Sequence, residues 1–183
     1  MTAAPWLEPD VLDVAAGLLG WRLVSDLGGE RVVAELVEVE AYAGETDPAS
    51  HAFRGTTPRN GPMFGEPGSL YVYRSYGIHW CMNVVAGPPG LARAVLLRAG
   101  NIVEGGTTAR VRRGRNDHTA DGPGKLTQAL AVTNTMNGHD LRKAPLQLMA
   151  PQRAVRRFEA GPRIGISKAV ERPWRLIVSE WEA

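Results

Sequence analysis

The chain has 183 residues and a mass of 19.8 kDa, the size of one ordinary domain. With 44% hydrophobic and 22% charged residues it has the composition of a soluble globular protein with its own core, and no apolar run approaches the ~18 residues of a transmembrane helix. One cysteine, Cys81, excludes an internal disulfide and a Cys-based zinc site; with no signal-peptide pattern over residues 1–6, the expected setting is the reducing cytoplasm.

The net charge of +2 conceals a strong polarity. Residues 1–50 carry two bases and ten acids, whereas residues 51–183 carry 19 bases and nine acids. Eighteen of the 21 bases are arginine, the residue that grips phosphate with a planar fork. Either the sequence simply favours arginine throughout, or it builds a basic face for a polyanion.

In chain order, Pro9 and Asp10 open an amphipathic helix over residues 11–19 that Gly20 stops. Residues 21–25 and 31–42 read as strands joined by the turn Asp26-Leu27-Gly28-Gly29. Residues 43–68 form a long loop rich in Gly, Pro, Thr and Asn, and insertions of that length are usually functional. Strands resume at 70–74 and 78–85 around the tight turn Ser75-Tyr76-Gly77. A further strand covers 94–99, weak helical character covers 102–113, and a basic run includes Arg110, Arg112, Arg113 and Arg115. Gly122-Pro123-Gly124 precedes a helix over 125–132. The tail offers strands at 146–149, 163–166 and 174–178. No repeat or linker interrupts this order, so the expectation is a single α+β domain (1–183) around a largely antiparallel sheet.

The strand 32–42 carries the first chemical signal. Strict alternation places Val32, Ala34, Leu36, Glu38, Glu40 and Tyr42 on one face, with Val37, Val39 and Ala41 on the other. The carboxylates either emerge into solvent at a sheet edge or need a partner. Arg98, at the end of the apolar run Ala94-Val95-Leu96-Leu97, is placed to pair with Glu40 and hold a water.

All four tyrosines (Tyr42, Tyr71, Tyr73, Tyr76) fall in the first half. Tyr71 and Tyr73 share a strand face, as core residues or as a pocket wall. Tyr76 occupies a hairpin tip, a poor place for a core residue and a good one for a wedge between DNA bases. His51 lies in the long loop, within reach of the same cleft. His79 reads as structural, and His118 and His139 fall in polar loops. His139-Asp140 has no second ligand set, so no catalytic metal is expected, and no Gly-rich phosphate signature occurs.

Several ordered motifs carry a family resemblance. Val37-Glu38-Val39-Glu40-Ala41-Tyr42, Thr57-Pro58-Arg59-Asn60, Leu70-Tyr71-Val72-Tyr73 and Tyr76-Gly77-Ile78-His79-Trp80-Cys81-Met82-Asn83 come first. They are followed by Val95-Leu96-Leu97-Arg98-Ala99, Gly122-Pro123-Gly124-Lys125-Leu126 and Pro162-Arg163-Ile164-Gly165-Ile166. Together they resemble the alkyladenine (3-methyladenine) DNA glycosylase family, in its bacterial form, over roughly residues 10–180; Gly100-Asn101 departs from the pattern.

The resemblance implies a curved sheet with a β-hairpin directed at DNA and a catalytic pair, Glu40 as general base and Arg98 helping to hold the water. It implies base binding by Tyr42, His51, Tyr73 and Asn83, and intercalation by Tyr76. Phosphates would be held by Arg59 and Lys125, and the backbone carbonyl near Ile164 would help position the water. No cofactor is implied. The implied partner is double-stranded DNA containing damaged purines, met by a cytoplasmic, nucleoid-associated monomer. Two other readings share some of these features: a non-catalytic damaged-DNA-binding module, for which Glu40 has no use, and a hydrolase of free nucleosides, for which Tyr76, Arg59 and Lys125 have none.

Overall fold

Strand β2 (Val32–Ala43) is the spine around which the other elements assemble. The computed structural model describes residues 4–7, 10–117 and 119–182, so Pro9 and His118 lie outside the described residues. Along one edge β2 pairs with β5 (Arg93–Glu104); along the other it pairs first with β1 (Arg22–Ser25) and then with β8 (Arg175–Trp181). β3 (Leu70–Ser75) and β4 (His79–Ala86) extend the sheet beyond β5, β6 (Leu146–Met149) extends it beyond β1, and β7 (Val155–Gly161) flanks β8. Every pairing is antiparallel, and the result is one curled eight-stranded sheet with helices beside it. The α+β expectation therefore holds.

Helix α1 (Val11–Leu18) starts where Asp10 accepts a hydrogen bond from the Leu12 N–H at 2.7 Å. Its buried residues, Val11, Val14, Ala15 and Leu18, have the spacing of one helical face. They pack with α2 (Gly106–Arg113) and α3 (Pro123–Ala129) into the main core, against Leu23, Leu36, Leu97 and Leu126. A smaller apolar cluster (Ala52, Met63, Tyr71, Val85, Ala92 and Ala94) includes residues of the long loop. Among the described residues, no helix is long and apolar enough to cross a membrane.

Strict alternation along β2 fails at one place, and the failure matters. The β2–β5 register slips between Leu36 and Glu38 and again between Glu38 and Val39. Val32, Ala34 and Leu36 consequently join the same core cluster as Val39 and Ala41. Glu38, Glu40 and Tyr42 are left on the other face, opposite the apolar residues they were expected to accompany. A bulge inverts the parity of every residue beyond it, and local alternation in a sequence does not reveal one.

Three further expectations are corrected. Residues 102–104 continue β5 because they remain paired with β2, and the helix begins only at Gly106. The expected helix over 125–132 runs instead from Pro123 to Ala129. Residues 163–166 are a loop, interrupted by Gly165 at φ +77°, whereas β7 was not anticipated. The residues of β7 are nearly all exposed, so they lack the apolar alternation that marks a half-buried strand.

Gly105 marks the change from β5 to α2 with φ +73°, and a Cβ there would lie 2.1 Å from the Arg31 carbonyl oxygen. Gly29, at φ +84°, has nothing within 4 Å of that position. Gly105→Ala is expected to destabilise the fold by about 2–4 kcal/mol through strain plus collision, and Gly29→Ala by only ~1 kcal/mol through strain alone. Urea unfolding of both variants tests this ranking; equal losses would contradict it.

Candidate active site

Across the sheet face opposite the main core, β2, β3, β4 and β5 present Glu38, Glu40 and Tyr42, then Tyr71 and Tyr73, Cys81 and Asn83, and Arg98. Of these, Tyr42, Tyr71, Tyr73, Cys81, Asn83 and Arg98 line a cleft of about 1010 Å³, which suits a small-molecule-sized group.

Glu40 has no solvent exposure. A buried carboxylate needs donors, and three reach it. Arg98 Nη1 lies 3.2 Å from Oε1, the Ile164 backbone N–H donates to the same oxygen at 2.8 Å, and the Tyr42 hydroxyl donates to Oε2 at 2.9 Å. These donors occupy three of the roughly four acceptor positions of a carboxylate. The expected Glu40–Arg98 pairing is therefore present. Ile164 reaches the carboxylate through its backbone N–H.

Further ion pairs hold these donors in place. Arg98 Nε donates to Glu38 Oε1 at 2.9 Å, and Arg175 Nη1 reaches that oxygen at 3.2 Å. Arg175 Nε also holds the Pro162 carbonyl at 2.8 Å, which fixes the segment leading to Ile164. Arg163 and Asp47, both without side-chain exposure, form a bidentate pair at 2.5 and 2.9 Å, and Arg163 also donates to the Ala41 carbonyl at 2.9 Å. Burial followed by the Glu40 charge raises the Tyr42 pKa well above the ordinary phenol range, so its hydroxyl stays protonated and able to donate.

The aromatic wall is contiguous. Tyr71 and Tyr73 stack with centroids 5.5 Å apart, and His51 meets Tyr73 edge-on at 4.5 Å. His51 Nδ1 is 3.1 Å from the Tyr71 hydroxyl. Asn83 is buried with its Nδ2 on the Tyr71 carbonyl at 3.1 Å, leaving the amide oxygen to the cleft. Burial also pushes up the Tyr73 hydroxyl and the Cys81 thiol beside it.

Tyr76, at φ +48° on the β3–β4 turn, is 84% exposed, and its neighbour Ile78 is 76% exposed. Arg59 lines the cleft, donates to the Arg74 carbonyl at 3.1 Å and lies 5.8 Å from the Tyr73 ring centroid. Lys125 is not brought to the cleft: it occupies the first turn of α3, paired with Asp121 at 2.8 Å. His79 packs against that helix, where a Cβ on Gly124 would stand 2.4 Å from its ring.

Sequence reasoning gave no role to Asp47, which carried no local signal beyond the loop, or to Arg163, which it noted only within the motif Pro162-Arg163-Ile164-Gly165-Ile166. It also missed Phe53 and Lys168 on the cleft wall.

A buried carboxylate held by residues that line an aromatic cleft, with an exposed tyrosine in the same lining, narrows the chemistry, and comparison with known proteins decides the family. The family model described as methylpurine-DNA glycosylase matches residues 5–182. The chain belongs to the methylpurine-DNA glycosylase family. Enzymes of this kind hydrolyse N-glycosyl bonds in DNA. Among its curated relatives, a protein of Rhodopseudomonas palustris is 52% identical over 167 residues, covering 90% of this chain and 80% of its own. One of Rhodococcus jostii is 46% identical over 177 residues (92% and 78%), and one of Agrobacterium fabrum is 48% identical over 174 residues (93% and 85%). All three are provisionally named 3-methyladenine DNA glycosylase.

Burial against the wall, reinforced by the Arg59 charge, lowers the His51 pKa. A base with a depressed folded pKa takes up fewer protons folded than unfolded, so stability falls with pH below the ordinary histidine value of about 6.5. Acidification through that range is expected to lower the melting temperature of the wild type more steeply than that of His51→Gln. Identical slopes would contradict it.

Proposed function

We propose that this protein is a monofunctional glycosylase that extrudes alkylated or deaminated purines from duplex DNA and hydrolyses their N-glycosidic bond with a water activated by Glu40. The substrates would include 3-methyladenine, 7-methylguanine, hypoxanthine and ethenoadenine. The observation that carries this reading is the buried Glu40 carboxylate, held by Tyr42, Arg98 and Ile164, all three of which line a cleft with aromatic walls.

The chemistry follows from those groups. The glycosidic bond is hidden within the duplex, so the base must leave the stack at a cost of a few kcal/mol. Stacking on Tyr42 and Tyr73 returns about 1–3 kcal/mol per aromatic contact. Water attacks C1′ of the sugar as the C–N bond breaks; its proton passes to Glu40, and the bonding electrons leave with the base. A 3- or 7-alkylated purine is already cationic and departs neutral. Hypoxanthine needs a donor at the ring, and the His51–Tyr71 pair is the donor nearest the wall. Asn83, buried beside Tyr71, would narrow the pocket along the purine edge that bears guanine's 2-amino group and so disfavour, without excluding, guanine-type bases. Arg59 is the phosphate ligand at the rim, and Lys125 contributes from α3. The product is an abasic site with an intact backbone.

Glu40→Gln keeps the shape and removes the base. Its single-turnover release from a duplex carrying one lesion is expected to fall by about 10²–10⁴-fold, with binding to the same duplex undiminished. Undiminished turnover would refute the role of Glu40, whereas absence of release by the wild type would leave the binding-module and nucleoside-hydrolase readings to be separated.

Tyr76 is the wedge in this reading, filling the gap left by the extruded nucleotide. Because the side chain is so exposed, Tyr76→Ser is expected to change stability by no more than ~0.5 kcal/mol. It should slow release most from well-paired lesions and least from mismatched or single-stranded ones. Uniform slowing across all three substrates would show that Tyr76 is not a wedge.

A further inference from the structure

Behind Tyr42 lies an ion pair that catalysis does not use directly. The Arg163 guanidinium carbon sits 4.7 Å from the Tyr42 ring centroid and 5.1 Å from that of Trp174. Asp47 grips the same guanidinium through both its oxygens, and neither side chain is exposed. Arg163 Nε has no hydrogen-bond partner among the described residues. A buried ion pair is a poor stabiliser compared with apolar packing, so anchoring the loop is an insufficient reason to place a charge there.

We propose that Asp47 sets the charge preference of the base pocket by cancelling Arg163 behind Tyr42, so that the opposite face of the ring can accept a cationic purine. The inference rests on the cleft being a base pocket, with Tyr42 one of its walls.

A cation over one face of an aromatic ring draws on the ring's negative potential. A second cation on the opposite face shares that potential and is repelled by the first across little more than the ring thickness. Inside a protein, repulsion at that separation is worth on the order of a tenfold change in rate or affinity. With Asp47 bound edge-on to the guanidinium, the pair behind Tyr42 carries no net charge and its repulsion of a cationic base is cancelled. Burial alone would raise the Asp47 pKa, but hydrogen bonds from Arg163 and from the Ala49 and Ala43 N–H groups outweigh it and hold the group anionic. Asp47 is thus a positioning and charge-balancing residue rather than a catalytic one.

The same pair also anchors the segment that delivers the Ile164 N–H to Glu40, so loss of activity alone would not separate the two roles. Substrate charge does. Single-turnover release is compared on matched duplexes carrying 7-methylguanine, a cation, or hypoxanthine, which is neutral. Asp47→Asn leaves Arg163 uncompensated and is expected to lower the ratio of the two rates by about tenfold. Arg163→Gln leaves Asp47 anionic beside Arg172, 3.8 Å away, and is expected to raise the ratio. The double variant Asp47→Asn/Arg163→Gln, neutral again, is expected to return to the wild-type ratio even where both absolute rates are reduced. Because the two single changes have opposite signs, whichever variant folds suffices to test the proposal. An unchanged ratio in the variants that fold would show that the pair is only an anchor. Failure of the wild type to release either base would instead overturn the pocket reading itself.

Discussion

Holding one carboxylate away from bulk solvent is the demand that organises this structure. Glu40 is stable there because Arg98, Tyr42 and Ile164 supply donors, and these come from β5, from β2 itself and from the loop between β7 and β8. Each supplier has its own support. Arg98 and Arg175 share Glu38, Arg175 holds Pro162, and Asp47 fixes Arg163 next to Ile164. Removal of a single donor would leave buried charge uncompensated, which in proteins costs more than an ordinary hydrogen bond. The curl of the sheet, the bulge in β2 and the path of the tail all meet at this point.

That network changes the meaning of the arginine content. Arg98, Arg163 and Arg175 are committed to the site. Arg153 pairs with buried Glu35 at 2.6 Å and lies over Trp181, and Arg112 ties α2 to the Ala129, Leu27 and Glu30 carbonyls at 2.6–3.1 Å. Arg113 is engaged with Gln128. Much of the basic excess therefore holds the fold together. Besides Arg98, the basic groups that line the cleft are Arg54, Arg59, Arg74 and Lys168.

The parts of the site legible in the sequence were those whose local context was unusual: a carboxylate among valines, a tyrosine at a hairpin tip, and an arginine ending an apolar strand. The strands that alternate or are fully apolar were legible for the same reason. What stayed hidden depends on distant partners. The bulge between Leu36 and Val39 exists because β2 must serve β1, β5 and β8 in turn, and nothing in residues 32–42 alone displays it. β7 is visible only through its pairing with β8, and Asp47 acquires its meaning from Arg163, 116 residues further on. Lys125 lies in the first turn of α3, paired with Asp121 and outside the cleft lining, a placement that its motif alone does not reveal.

The central claim is that the cleft receives a base removed from the stack and brings its sugar to Glu40. The most direct measurement is a crystal structure of Glu40→Gln bound to a duplex containing one ethenoadenine. The account predicts the base between Tyr42 and the Tyr73–His51 wall, Tyr76 within the vacated stack, and an ordered water between residue 40 and C1′. A lesion still stacked in the duplex, or a base in the cleft with its C1′ directed away from residue 40, would contradict it.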